Sequence, residues 1–157
     1  MGLLSFFKDA GEKLFGTGKA QAAADPNAAN AAAARAIEDY IASMNLSASG
    51  LLVEFDGASG TVTVSGEAQD QATKEKILLC CGNVAGVAAV NDQLTVLEPV
   101  DESQYYTVVR GDSLSKIAKE FYGNANAYMQ IFEANKPMLS HPDKIYPGQT
   151  LRIPPKA

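Results

Sequence analysis

The sequence contains few of the side chains on which many catalytic and metal sites are built. Its two cysteines are neighbours, Cys80 and Cys81, and His141 is its single histidine. Adjacent cysteines provide neither a disulfide framework nor the spaced ligands of a zinc site, so we expect reduced thiols in a core. No nucleophile–base pairing or phosphate-binding glycine loop accompanies His141. We therefore expect no enzymatic activity.

Long apolar segments are also missing. The longest uncharged apolar runs, residues 77–81 and 31–34, are far shorter than the ~20 residues that span a bilayer. Charged residues from Lys8 onward interrupt the apolar start before it reaches the ~7–15 residues of a signal-peptide core. We therefore expect no transmembrane segment and a cytoplasmic location.

Positive charge is in deficit. The 157 residues include 13 basic and 18 acidic side chains, a formal net charge of −5. Nucleic-acid binding needs positive charge to release counterions, so we expect no nucleic-acid partner. Three basic and nine acidic residues fall within residues 28–100. This acidity is either a solvated face or a potential that concentrates cations. The length allows one medium domain or two small ones, and we expect a monomer.

Residues 2–15 have the pattern of an amphipathic helix. Its apolar positions follow i, i+3, i+4 spacing and are Leu3, Phe6, Phe7, Ala10 and Leu14. Gly11 is a candidate for an early end of this helix. We expect the helix to dock on the rest of the protein. A membrane-surface anchor is the alternative, although the charges near this helix cancel and such anchors usually have a basic polar face.

Residues 26–97 predict the element order α-β-β-α-β. A helix near residues 28–45 follows an alanine-rich linker at 16–25, and Leu51–Phe55 and Thr61–Ser65 form a hairpin. A second helix begins near Asp70, with Gly82 as the residue after its end, and a strand covers residues 87–96. With Val62-Thr63-Val64-Ser65-Gly66 before that helix and Gly86-Val87 before the last strand, this segment resembles the BON domain.

Residues 105–154 predict the order β-α-α-β, after a linker at 98–104. The motif residues are Gly111-Asp112-Ser113-Leu114, Ile117-Ala118, Asn135 and Pro147-Gly148-Gln149 through Ile153-Pro154. Asp112 or Ser113 is expected to cap the first helix. This segment resembles a LysM domain over its full length. The chain as a whole is thus predicted to be α+β, with two small domains behind an N-terminal helix.

The two domains in this order, with Lys-Asp-Ala-Gly-Glu-Lys-Leu near the start and Pro-Asp-Lys-Ile-Tyr-Pro-Gly-Gln near the end, resemble the bacterial potassium-binding protein family. The resemblance implies a K⁺ binder or sensor that becomes compact when the ion binds. Proteins select K⁺ with neutral carbonyls, so a missing carboxylate cluster is no objection. The ligands that the resemblance implies are main-chain oxygens of Phe7, Ala10, Gly82, Val84 and Val87.

Two other functions stay open. LysM domains as a family bind N-acetylglucosamine-containing glycans, which would imply a peptidoglycan-binding module of the cell envelope. A protein partner bound through LysM is also open. By position, the groove residues would be Gly111, Asp112, Ser113, Leu114, Ile145, Tyr146, Pro147 and Gly148. A phospholipid-associated BON protein that uses its amphipathic N-terminus is the third reading.

Overall fold

The computed structural model describes residues 3–6, residue 11 and residues 26–155. Two α+β units follow one another, as the sequence predicts. The elements of the first unit are β1 (Leu3–Ser5), α1 (Pro26–Ser43), β2 (Ser49–Asp56), β3 (Thr61–Asp70), α2 (Gln71–Gly82) and β4 (Ala89–Glu98). Those of the second unit are β5 (Gln104–Thr107), α3 (Leu114–Tyr122), a 3-10 turn (Ala125–Ala127), α4 (Tyr128–Ala134) and β6 (Thr150–Ile153).

A four-stranded sheet with the order β1-β4-β3-β2 forms the first unit. The predicted hairpin is confirmed, since β2 and β3 pair antiparallel. β3 and β4 pair in parallel, and α2 makes the crossover between them that a parallel pair needs. The core between the sheet and the two helices includes Ile37, Ile77 and Val64, none of which is exposed.

The N-terminal segment differs from the sequence prediction. Leu3–Ser5 is a strand, not the start of a helix, and pairs antiparallel with β4 so that Leu4 lies opposite Val90. Exposure alternates along this segment: Leu3 and Ser5 are exposed, whereas Leu4 and Phe6 are half-buried against the core. The spacing of these apolar residues fits both a helix and a strand. Pairing with the free edge of β4 satisfies main-chain groups and decides between the two.

Gly82 also has a different role from the predicted one. It is the last residue of α2, and Asn83 is the cap, with an ordinary φ of −84°. The ring of Phe6 occupies the space that a side chain at position 82 would need. Glycine is therefore required here for close approach rather than for a left-handed helix end.

The second unit pairs β5 with β6 antiparallel and packs α3 and α4 on this ribbon. Ser113 is the N-cap of α3, because its hydroxyl accepts from the Lys116 N–H at 3.2 Å. The Asp112 carboxylate instead accepts from the Tyr106 hydroxyl at 2.6 Å and the Val109 N–H at 2.9 Å. Of the two predicted caps, Ser113 is thus the one used.

A buried ion pair joins the two units. Glu75 of α2 lies 2.8 Å from the Arg152 guanidinium of β6, and both side chains are at most 8 % exposed. The carboxylate also accepts from the Ser103 N–H at 3.0 Å and from Gln71 Nε2 at 2.9 Å. Burial opposes the ionisation of Glu75, but these hydrogen bonds from Ser103, Gln71 and Arg152 outweigh it and lower the pKa of the carboxyl. The charge is therefore retained inside the protein.

Among the described residues, no helix is both long and apolar enough to cross a bilayer.

Replacing Glu75 with glutamine is expected to lower the free energy of unfolding at pH 7 by ~3 kcal/mol, since Arg152 would stay buried without its counter-charge. In the parent protein, the ionised carboxylate stabilises the fold above its ordinary pKa of 4.5. This contribution decreases as the pH falls through 4.5 towards the lower folded-state pKa. Urea unfolding between pH 3 and pH 7 measures both effects, and the variant should show a weaker pH dependence.

Glu133→Gln is the matched control, because Glu133 pairs with Lys136 at 3.2 Å on the surface. Exposed pairs contribute little to stability, so this variant should unfold like the parent protein. Equal losses in the two variants would contradict the role assigned to the buried pair.

Candidate metal centre

The loop between α2 and β4, residues 83–88, contains two of the predicted ligand positions, Val84 and Val87. The Val87 N–H donates to the Val84 carbonyl at 3.0 Å and closes a tight turn. Gly86, the third residue of the turn, has a φ of +100°, which a turn of type II requires and glycine adopts without strain. The side chains of Val84 and Val87 are fully buried. This loop is thus anchored by its side chains, and apart from the Asn83 amide its polar atoms are those of the main chain.

The N-terminal segment crosses this loop at two points. The Phe6 N–H donates to the Ala88 carbonyl at 2.8 Å, and the Phe6 ring lies over Gly82. Gly11 has a φ of +112°, and a Cβ at this position would collide with the carbonyl of Asn83. Residues 6 and 11 therefore both lie against residues 82–88.

The structure brings Gly82, Val84 and Val87 together within one helix end and one turn. The other two predicted ligands, Phe7 and Ala10, lie outside the described residues. Their described neighbours, Phe6 and Gly11, both contact the segment that holds the first three. The five predicted main-chain ligands stay a prediction.

The chemistry of the donors fits a weakly hydrated monovalent cation. In the described part of the chain, no group of three or more His, Cys, Asp or Glu side chains could hold a metal ion. Burial raises the pKa of the Cys80 thiol to about 12 and raises that of Cys81 as well, so both stay neutral. They are free thiols in the core, as predicted. Main-chain oxygens at a helix C-terminus carry partial negative charge and are the donors available here.

The residues predicted for a glycan groove lie on two adjacent loops. The Gly148 N–H donates to the Val108 carbonyl at 2.8 Å, which joins the loop before β6 to the end of β5. Gly111 has open space around it, whereas Leu114 is buried in the core of the second unit. Tyr146 is half-buried and lines a cavity of about 200 Å³ that also includes Tyr40, Leu79 and Asn83 of the first unit. The full predicted set is Gly111, Asp112, Ser113, Leu114, Ile145, Tyr146, Pro147 and Gly148.

Comparisons with known proteins agree with this arrangement of two units. Residues 29–98 match the BON domain family, and residues 106–154 match the LysM domain family. The chain is 47% identical over 154 residues to "Potassium binding protein Kbp" of Escherichia coli O6:H1, which covers 98% of this chain and 99% of that protein. The chain belongs to the Kbp family. An uncharacterized protein of Deinococcus radiodurans is 55% identical over 49 residues, 31% of this chain and 19% of its own length.

Three features near the predicted ligand positions were not anticipated from the sequence. The strand at Leu3–Ser5 was not predicted because the spacing of its apolar residues also fits a helix. No role was predicted for Asn83, which lies between two predicted ligands. Gly11 was interpreted as a helix end rather than as a contact. Glycine at 11 and 82 was the signal available, since both positions lack space for a Cβ.

Gly11→Ala is expected to weaken the contact between the N-terminal segment and the α2–β4 loop, because the new Cβ meets the Asn83 carbonyl. Exchange of the Phe6 N–H, which measures that contact, should become faster. Gly111→Ala is the matched control, since Gly111 also has a positive φ (+92°) but open space around it. This control should cost ~1 kcal/mol of backbone strain and leave Phe6 exchange unchanged. Similar Phe6 exchange in the two variants would contradict the contact.

Proposed function

We propose that this protein binds K⁺ with main-chain oxygens of Phe7, Ala10, Gly82, Val84 and Val87. One observation carries the proposal: residues on both sides of Phe7 and Ala10 lie against the segment that contains the other three ligands. The name of its 47% identical relative, potassium binding protein, supports the choice of ion. Nothing in this role calls for catalysis, and we propose a binding protein rather than an enzyme.

Neutral carbonyls suit K⁺ because they replace its loosely held water without the excess charge of a carboxylate cage. The Val84 carbonyl accepts one hydrogen bond from Val87, and a carbonyl oxygen has a second lone pair. Gly82 ends α2, where carbonyls lack a partner further along the helix. Gly82 and Val84 thus offer acceptor capacity beside Phe6 and Gly11 of the N-terminal segment.

Ligands from two distant parts of the chain would couple ion binding to the conformation of the protein. About seventy residues separate Ala10 from Gly82, and the contacts of Phe6 and Gly11 with residues 82–88 exist only when the N-terminal segment is in place. Ligands from both segments favour the docked arrangement over the open one. We propose that the protein becomes compact when K⁺ binds and acts as a cytoplasmic sensor of this ion.

Potassium chloride is expected to stabilise the full chain more than sodium chloride at equal ionic strength. At a free ion concentration 100 times Kd, the gain is ~2.7 kcal/mol, or several degrees in Tm for a protein of this size. Thermal melts followed by circular dichroism measure the difference, and the hydrodynamic radius should be smaller in K⁺. Gly11→Ala should reduce the difference between the salts, and Gly111→Ala should preserve it. Identical melts of the parent protein in the two salts would refute K⁺ binding.

Glycan binding is a second candidate, favoured by the LysM match over residues 106–154 and by the adjacency of the two predicted groove loops. It predicts that the full chain sediments with purified peptidoglycan sacculi. Substitution of the half-buried Tyr146, which lies on one of these loops, should then reduce the bound fraction. Recovery of all the protein in the supernatant would exclude this function at the sites named.

A further inference from the structure

Asn83 lies between two predicted ligands, and several of its polar groups are engaged by different parts of the protein. Its main-chain N–H donates to the Leu79 carbonyl at 2.8 Å and closes α2. Its carbonyl faces Gly11 of the N-terminal segment. Its side chain leaves the loop and reaches the LysM unit, where it contacts Thr150 of β6.

The contact with Thr150 uses both ends of the amide. Asn83 Nδ2 donates to the Thr150 carbonyl at 2.7 Å, and the Thr150 N–H donates to Asn83 Oδ1 at 2.9 Å. A neighbouring β-strand would offer Thr150 the same pair of groups, one N–H donor and one carbonyl acceptor. A planar side chain held at both ends has little freedom to rotate, so the position of Asn83 is fixed relative to β6.

Asn135 makes the corresponding contact two residues further along β6. Its Nδ2 donates to the Arg152 carbonyl at 3.0 Å, and its Oδ1 accepts from the Arg152 N–H at 2.9 Å. The outer edge of β6 is therefore bonded by two asparagine side chains. Asn135 belongs to the LysM unit itself, whereas Asn83 comes from the loop that contains Val84 and Val87.

We infer that Asn83 is a positioning residue through which the LysM strand β6 holds the α2–β4 loop in its ion-binding geometry. The inference rests on the proposed K⁺ site. The Gly82 carbonyl lies in the same planar peptide group as the Asn83 N–H, so fixing Asn83 restricts the orientation of that carbonyl directly. The next peptide group joins Asn83 to Val84, so the same contact also fixes where the turn that begins at Val84 starts. Because linkage is reciprocal, an ion held by these carbonyls must stabilise the Asn83–Thr150 pair by the same factor.

Asn83→Ala tests the inference in the full chain. The φ of −84° at this position suits alanine, so only the two side-chain hydrogen bonds are lost. Potassium chloride titrations followed by calorimetry should show at least a fivefold loss of K⁺ affinity, the lower end of typical couplings between sites. Gln130→Ala is the control: it removes a hydrogen bond to the Pro155 carbonyl inside the LysM unit and should leave the affinity unchanged.

Hydrogen exchange of the parent protein provides a second test that needs no variant. The Thr150 N–H should exchange more slowly in potassium chloride than in sodium chloride. The Gly123 N–H, bonded to the Lys119 carbonyl at the end of α3, should exchange equally in both. If Asn83→Ala fails to fold, this measurement decides alone.

The possible failures are distinguishable. If the parent protein binds K⁺ but Asn83→Ala binds it equally well, or if Thr150 exchange is the same in both salts, the positioning role is wrong and the K⁺ site stands. If the parent protein does not distinguish K⁺ from Na⁺, both proposals fail.

Discussion

Close contact between main-chain segments at the carboxyl end of α2 governs the arrangement around it. Gly82 leaves room for the Phe6 ring, and Gly11 leaves room for the Asn83 carbonyl. Main-chain polar groups that approach each other away from water need partners. The Phe6 N–H and the Ala88 carbonyl satisfy one another. Carbonyl oxygens cannot pair among themselves, so the carbonyls that we propose as ligands would need a donor or a cation between them.

Two contacts align α2 with β6, and they differ in chemistry. Glu75 and Asn83 are eight residues apart, which is ~12 Å along a helix, and they contact Arg152 and Thr150 of the same short strand. One contact is a buried ion pair, whose desolvation offsets much of its attraction but whose geometry admits few alternatives. The other is neutral and adjoins the proposed site. The ion pair thus defines the orientation of the two units relative to each other. The Asn83 amide then fixes the α2–β4 loop relative to β6.

Local sequence patterns predicted most of the fold because each element contains its own signal. The hairpin between β2 and β3 has a turn of small polar residues, and α3 begins at a capping serine. The strand at Leu3–Ser5 was missed because three residues cannot separate a period of 3.6 from one of 2. Its partner, β4, lies more than eighty residues away. Only the free edge of that strand decides the conformation of this segment.

Main-chain ligands are difficult to predict for a different reason. Every residue has a carbonyl, so a site built from carbonyls leaves no preference for particular side chains at the ligand positions. Such a site is indicated instead by positions where a side chain would not fit, as at Gly11 and Gly82. It is also indicated where a side chain bonds the ligand loop to another element. Asn83 and Asn135 illustrate the second case: both bond the edge of β6 in the same way, yet only Asn135 belongs to a recognisable motif. The geometry of the partner strand, rather than the residue type, is what relates Asn83 to the site.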